Sequence, residues 1–315
     1  MLNYLQLKSS YFFSIISGQV IHKGAPAFLS VEPTTFCNLK CPECFTIQPG
    51  FTRPKGNLTK ETFEKIISQS GEFGFYLNLY FQGEPFMNPE LANFIATAKH
   101  AGFYVAISTN GHFIDETITE KLIQNGLDRL IISLDGTDAE IYSKYRQGGN
   151  FEKVVSGIKS LVDSRKKMKS ANPFLEIQFV LTRKNQTQQN QIKNLGKKLC
   201  VDKVSIKSFQ LLNYDHASEW LPNKSSRYFI SDAGAVRLKN KLSNRCFRMW
   251  SSCVITWDGN VIPCCFDKNA SYVMGNIKQQ SLLEIWKNND YTNFRNKVFS
   301  ERKNIDICCN CSEGL

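Results

Sequence analysis

Glu32-Pro33-Thr34-Thr35-Phe36-Cys37-Asn38-Leu39-Lys40-Cys41-Pro42-Glu43-Cys44 places three cysteines at CxxxCxxC spacing, directly after the short apolar run Ala27 to Val31. The run reads as a strand, and the cysteines occupy the loop leaving its C-terminal end. Such a loop can wrap three thiolates around one face of a metal centre, and cysteine is the soft ligand that iron–sulfur clusters require. Structural zinc wants four closed ligands, and no fourth Cys or His lies nearby in sequence. Three thiolates on a four-iron cube instead leave one iron open to another molecule. On spacing alone a catalytic cluster, a zinc knuckle and a set of buried thiols all remain open.

Outward from this loop, residues 27 to 209 alternate short apolar runs with longer stretches of helical period, the pattern of βα units. Further strands are expected at Gly74 to Phe81, Tyr104 to Ser108, Asp128 to Leu134, Phe174 to Leu181 and Lys203 to Phe209. Thr59-Lys60-Glu61-Thr62 opens a helix to Ser70, and Asn88-Pro89-Glu90 opens one to His100, with caps and first-turn proline in favourable places. Six consecutive units imply a parallel sheet, a partial (β/α)6 barrel working at the C-terminal ends of its strands. Residues 210–245 lose the rhythm and read as a linker, and residues 1–26 form an N-terminal extension. A compact module follows at 246–315, with a hairpin around Asp258-Gly259 and a helix from Ser281 to about Asn288.

The 315 residues suffice for one large α/β domain, 27–209, plus this small appendage. Hydrophobic residues at 42% and charged residues at 21% match ordinary globular usage and argue against disorder or a multi-span membrane protein. A net charge of +11 is compatible with nucleic acid, phosphorylated sugars or a membrane surface as partners, yet its densest runs, Arg165 to Lys169 and Lys193 to Lys198, read as solvated helix faces. The apolar stretch Tyr11 to Ile21 is shorter than the roughly 20 residues of a membrane span. Interrupted by Ser14, Ser17, Gly18 and Gln19, it reads as a packing helix or cap rather than an export signal. Eleven cysteines, an odd number grouped at the two ends of the chain, favour metal or redox chemistry in a reducing, cytoplasmic setting over a disulfide scaffold.

The cysteine loop on a six-fold βα pattern resembles the radical S-adenosylmethionine (SAM) superfamily, whose other motifs recur in order through residues 28 to about 209. Gln82-Gly83-Glu84-Pro85 is similar to the family's Gly-Gly-Glu-Pro, with Gln82 in place of the first glycine. The resemblance implies that Glu84 holds the SAM amino group, for which a charged acceptor is apt. Ser108-Thr109-Asn110-Gly111 resembles the ribose-binding segment, so Ser108 and Asn110 are expected there. Ser133-Leu134-Asp135-Gly136 resembles a segment facing SAM or substrate, and Tyr145-Arg146-Gln147-Gly148-Gly149 a loop whose Arg146 approaches the SAM carboxylate. Cys37, Cys41 and Cys44 become ligands of a SAM-binding [4Fe–4S] cluster. One departure is Glu43, where the family often carries an aromatic near the adenine; Phe45 is the alternative adenine contact.

Seven cysteines close the chain, the count of the family's SPASM module, which carries auxiliary clusters. Cys246, twelve residues, Gly259, four residues, Cys264 fits that module's opening pattern, and Cys308-xx-Cys311 supplies two further ligands. The longer cysteine series of a second auxiliary cluster is missing, which resembles the shortened "twitch" form with one auxiliary [4Fe–4S] cluster on Cys246, Cys264, Cys308 and Cys311. Cys253, Cys265 and Cys309 are then bystanders. A zinc ribbon on the same four thiolates is open on spacing alone. Cys200, alone on a helix, reads as a core thiol.

The resemblance implies reductive cleavage of SAM to a 5′-deoxyadenosyl radical that abstracts hydrogen from a C–H bond, with the auxiliary cluster accepting an electron. A radical SAM oxidoreductase acting on a sugar or cyclitol alcohol is expected, fed by a donor such as flavodoxin or ferredoxin. A peptide maturase is the alternative; RNA modification and a non-enzymatic iron–sulfur or zinc scaffold are the remoter ones. No membrane span and no nucleic-acid partner are expected. The catalytic residues are unknown; His112 is a candidate base, although a turn histidine of no special role is the competing assignment.

Overall fold

The apolar runs pair in chain order as β1 (Phe28–Val31), β2 (Tyr76–Asn78), β3 (Tyr104–Thr109), β4 (Arg129–Ser133), β5 (Phe174–Leu181) and β6 (Lys203–Ser208), every neighbouring pair parallel. The structure is a computed structural model and describes residues 2–224, 226–231, 234–239 and 241–311. Crossover helices include Lys60–Ser70, Leu91–His100, Glu116–Gln124, Phe151–Lys167 and Gln189–Lys198. Side-chain caps start several of them: Thr59, Asp115 and Asn150 accept from the amides of Thr62, Ile118 and Lys153. Phe63 and Phe94 stack at 4.4 Å between the first two of these helices. Leu130 and Ile132 of β4 and Leu175, Ile177 and Phe179 of β5 are fully buried, as parallel strands covered by helices require. Cys200 departs from expectation: the helix Gln189–Lys198 ends before it, φ is +55°, and the thiol is exposed rather than in the core.

Residues 210–245 carry structure of their own, where the sequence reads as a linker. A short helix, Ala217–Trp220, and the antiparallel pair β7 (Tyr228–Ile230) and β8 (Val236–Leu238) gather around Phe209, Leu211, Trp220, Leu221 and Tyr228. The apolar residues responsible are few and widely spaced among Asn, Ser, Asp and Lys, so no period betrays them.

The Asp258-Gly259 turn joins β9 (Ser252–Ile255) to antiparallel β10 (Asn260–Ile262), with Gly259 at φ +91°, a conformation glycine tolerates. β9 then pairs in parallel with β1, on the side away from β2. With β11 (Gly275–Asn276) outside β10, the described residues form a nine-stranded sheet ordered β11-β10-β9-β1-β2-β3-β4-β5-β6. The edge that an open barrel leaves at β1 is thereby covered. One apolar core runs through both regions, from Leu29 and Val31 to Ile255 and Trp286. Arg53 and Glu32 reinforce the join with a buried ion pair, while the Trp257 amide donates to Glu32 and Arg53 Nε donates to the Lys268 carbonyl.

The helix Leu2–Ser17 buries Leu7, Ser10 and Ser14, and sets Tyr11 edge-on to Trp250 at 5.1 Å and Tyr4 against Phe28 at 6.0 Å. It is a packing helix over the base of β1. Among the described residues no helix is long and apolar enough to cross a membrane.

Candidate functional site

Parallel strands deliver their following loops to one edge of the sheet, and a cavity of about 420 Å³ opens there. Cys37, Cys41 and Cys44 line it, and so do Glu84, Ser108, Asn110, Ser133 and Arg146 from the next three strand ends and the loop beyond. The three cysteines and the five residues Glu84, Ser108, Asn110, Ser133 and Arg146 thus line one cavity.

Local chemistry explains the fit of loop to loop. Gly83 has φ +68°, and a Cβ there would lie 2.5 Å from the Thr34 carbonyl and 2.7 Å from that of Phe36. Only a glycine lets the second loop press against the cysteine loop, where the Glu84 amide donates to the Phe36 carbonyl at 2.7 Å. Glu84 is buried, accepting from the Thr109 hydroxyl at 2.6 Å and the Asn110 amide at 2.8 Å. Burial outweighs these bonds and pushes its carboxyl up to about 7.

Asn110 is already engaged: its Nδ2 donates to Asn38 Oδ1 at 2.8 Å and lies 3.9 Å from Cys37 Sγ. The Asn110 side-chain oxygen faces His112 Nδ1 at 3.0 Å, and His112 Nε2 accepts from the Asn150 amide at 2.7 Å. His112 is buried with both ring nitrogens occupied and is not among the cavity-lining residues, so it positions Asn110 rather than serving as a base or an exposed turn residue. Arg146 donates through Nε to Asp135 at 2.6 Å, and its Nη1 lies 3.8 Å from Cys41 Sγ. Asp135 is fully buried and also accepts from the Val180 amide. It does not line the cavity but aims Arg146 at the cysteine loop.

The cavity walls fit a polar guest beside a cluster. Among the described residues the Ser108 and Ser133 hydroxyls have no hydrogen-bond partner, and the buried Gln82 Nε2 has none either. An orphaned buried donor is costly unless a ligand satisfies it. Phe45 lines the cavity, as does Glu43, but the Glu43 carboxylate is held by His216 and the Leu212 amide. Burial raises the Cys37 thiol to about 11, so metal binding must displace its proton.

A second, small cavity gathers the tail: Cys246, Cys264, Cys308 and Cys311 all line it. Cys253 and Cys265 line a different cavity beside β1 and β9, and Cys309 is exposed with its thiol on the Lys303 carbonyl. Arg302, fully buried, sets Nη2 3.5 Å from Cys311 Sγ and binds the Ser243 and Arg245 carbonyls through Nη1. A buried cation beside four thiols suits a centre of net negative charge. Asn38, Arg302 and the Glu43–His216 contact carry no sequence signal; only the folded chain reveals them.

Comparison with known proteins agrees with this geometry. Residues 31–173 match the radical SAM superfamily, and residues 246–312 match SPASM, an iron–sulfur cluster-binding domain. The chain is 26% identical over 317 residues to the tungsten-containing aldehyde ferredoxin oxidoreductase cofactor-modifying protein of Pyrococcus furiosus, covering 90% of this chain and 87% of that one. It is 27% identical over 294 residues to the mycofactocin maturase MftC of Mycobacterium tuberculosis, covering 84% and 71%. The crystal structure of BtrN with AdoMet and 2-DOIA shares the fold at a TM-score of 0.58 and 21% identity, covering 93% of this chain and 94% of that one. A partial barrel with its cysteine loop at the strand ends, followed by a cluster-binding tail, thus identifies the chain as a radical SAM superfamily enzyme with a C-terminal SPASM domain, a SAM-binding [4Fe–4S] cluster and auxiliary iron–sulfur binding.

Proposed function

We propose that the chain oxidises a C–H bond of a small hydroxylated molecule, a sugar or cyclitol alcohol being the substrate class that fits best. When bound, the first cluster supplies the electron that cleaves SAM and so generates the hydrogen-abstracting radical. Cys37, Cys41 and Cys44 are its ligands. Glu84 receives the SAM amino group, Arg146 approaches the carboxylate while flanking Cys41, and the free Ser108 and Ser133 hydroxyls serve the ribose or the substrate. Asn110 holds the cysteine loop against Glu84. Cys246, Cys264, Cys308 and Cys311 hold one auxiliary [4Fe–4S] cluster, whose full complement of protein ligands leaves it to take up an electron rather than to bind substrate. Loss of a hydrogen atom, then of a proton and an electron, converts an alcohol carbon to a carbonyl.

The observation that carries this reading is the meeting of four tail cysteines at one cavity, in a chain whose other cysteine cavity bears Glu84 and Arg146. End-to-end correspondence with the fold of BtrN, which holds AdoMet and 2-DOIA, supports a small substrate. Peptide modification is the second reading, supported by the similarity to the maturase MftC. A flavodoxin or ferredoxin in the cytoplasm is the expected electron source. Anaerobic reconstitution, iron and sulfide analysis, and an assay for 5′-deoxyadenosine test the proposal. About eight irons per chain and reductant-dependent 5′-deoxyadenosine are expected; no SAM cleavage by the fully loaded protein overturns it.

A further inference from the structure

Three cationic side chains without an acidic partner among the described residues line the same cavity. Lys207 at the end of β6, Arg227 just before β7, and Lys268 in the loop after β10 all line it, and they come from three separate segments of the chain. Among the described residues none of the three forms an ion pair. Arg227 turns Nε and Nη2 toward Ser208 at 3.1 and 3.0 Å, while the Lys268 ammonium sits 4.7 Å over the Phe81 ring. Gln82, adjacent to Phe81, adds its buried Nε2 donor that meets nothing in the protein.

The acids lining the cavity are committed elsewhere. Glu43 is bound to His216 and to the Leu212 amide, and Glu84 to Thr109 and Asn110. Arg146 has its own partner in Asp135. One SAM carboxylate supplies a single acceptor group, too few for three cations and an amide distributed over the wall. Positive charges that face one cavity repel one another, and the cost is offset when a ligand brings the opposite charge.

We propose that Lys207, Arg227 and Lys268, with Gln82, form a subsite for an anionic group, so that the small molecule oxidised here carries a carboxylate or a phosphate. This rests on the reading of the cavity as the SAM and substrate site. The charged group is held at the outer wall, and the reacting carbon is thereby turned inward toward the cysteine loop.

The test uses the anaerobically reconstituted full chain with SAM bound. Pyrophosphate and citrate serve as probes for phosphate and carboxylate, with myo-inositol as the neutral control, in calorimetric titrations of the parent protein and of K207Q, R227Q and K268Q singly and together. Saturable binding of one or both anions and none of inositol are expected, with weakening by roughly tenfold in each single variant, the cost of one lost charge-assisted bond, and by roughly a hundredfold or more in the triple variant. The stronger of the two anions names the group. Iron content and unstimulated 5′-deoxyadenosine formation are read in the same samples and should stay at parental levels in the variants. Absence of saturable anion binding, or equal binding by parent and triple variant, overturns the inference while parental SAM cleavage leaves the cavity's function standing. Loss of cluster or of SAM cleavage in all the variants overturns it too, because the cations would then serve the cluster. A parent that cleaves no SAM when fully loaded counts instead against the underlying function.

Discussion

Glu43 Oε1 lies 2.5 Å from His216 Nδ1, so a carboxylate one residue before Cys44 fastens the 210–245 segment over the cysteine loop. Its other oxygen accepts from the Leu212 amide at 2.9 Å. Bonding to Glu43 raises the His216 pKa above its ordinary value. A raised histidine pKa stabilises the closed arrangement fully below the unfolded value near 6.5 and ceases to do so as pH climbs through the folded value. Hydrogen-exchange protection of the Leu212 amide should therefore fall across that alkaline limb. In Glu43→Gln the protection should be low throughout and the pH dependence lost.

Arg53 and Glu32 pair through two bonds, Nη2 to Oε1 at 2.6 Å and Nη1 to Oε2 at 2.9 Å, out of contact with water. Arg53→Met strands the carboxylate in the join between β1 and β9. A loss of about 3–5 kcal/mol in unfolding free energy is expected by denaturant titration. The double variant Arg53→Met/Glu32→Met should recover much of it, since no buried charge is then left uncompensated.

With Glu84 in its proposed role, SAM binding should depend on pH. Its carboxyl, raised to about 7 by burial, is largely protonated in mildly acidic solution, and an ammonium guest must displace that proton. SAM affinity should rise by up to about tenfold per pH unit toward 7 and level off above it. Glu84→Gln should bind weakly with a flat profile. Equilibrium dialysis from pH 5.5 to 8.5 reads both.

Gly83 makes the contact between the second strand's loop and the cysteine loop possible. Alanine there carries a left-handed penalty of about 1–2 kcal/mol and in addition pushes into the Thr34 and Phe36 carbonyls. Gly83→Ala should lower SAM-site cluster loading and 5′-deoxyadenosine formation together, while iron bound by the tail remains. Iron and sulfide analysis of the purified variant provides the measure.

Cys246, Cys264, Cys308 and Cys311 share the small tail cavity, and Cys264 also borders the cavity that Cys253 and Cys265 line. Alanine at Cys246, Cys264, Cys308 or Cys311 should reduce iron from about eight to about four atoms per chain, whereas alanine at Cys265 or Cys309 should leave it near eight. SAM cleavage should persist in the four depleted variants, and oxidised product should not form.

The six parallel strands, the strand-end motifs and the two groupings of cysteines can be read from the chain's own pattern. Period, turn chemistry and ligand spacing are local, and β5 spans Phe174–Leu181 as its apolar run indicates. The remaining features arise from contacts between distant segments. β9 pairs with β1 across more than two hundred residues, and the pairing depends on edge hydrogen bonds that no local pattern encodes. His112, read as a candidate base, is enclosed by Asn110 and Asn150, and Cys200, read as a core thiol, is exposed. The first cysteine loop lines the strand-end cavity, and its setting depends on Glu43, Asn110 and Arg146 meeting partners from distant segments. A side chain's chemistry belongs to its residue type, whereas its burial, partners and proton affinity arise only when remote parts of the chain exclude water around it.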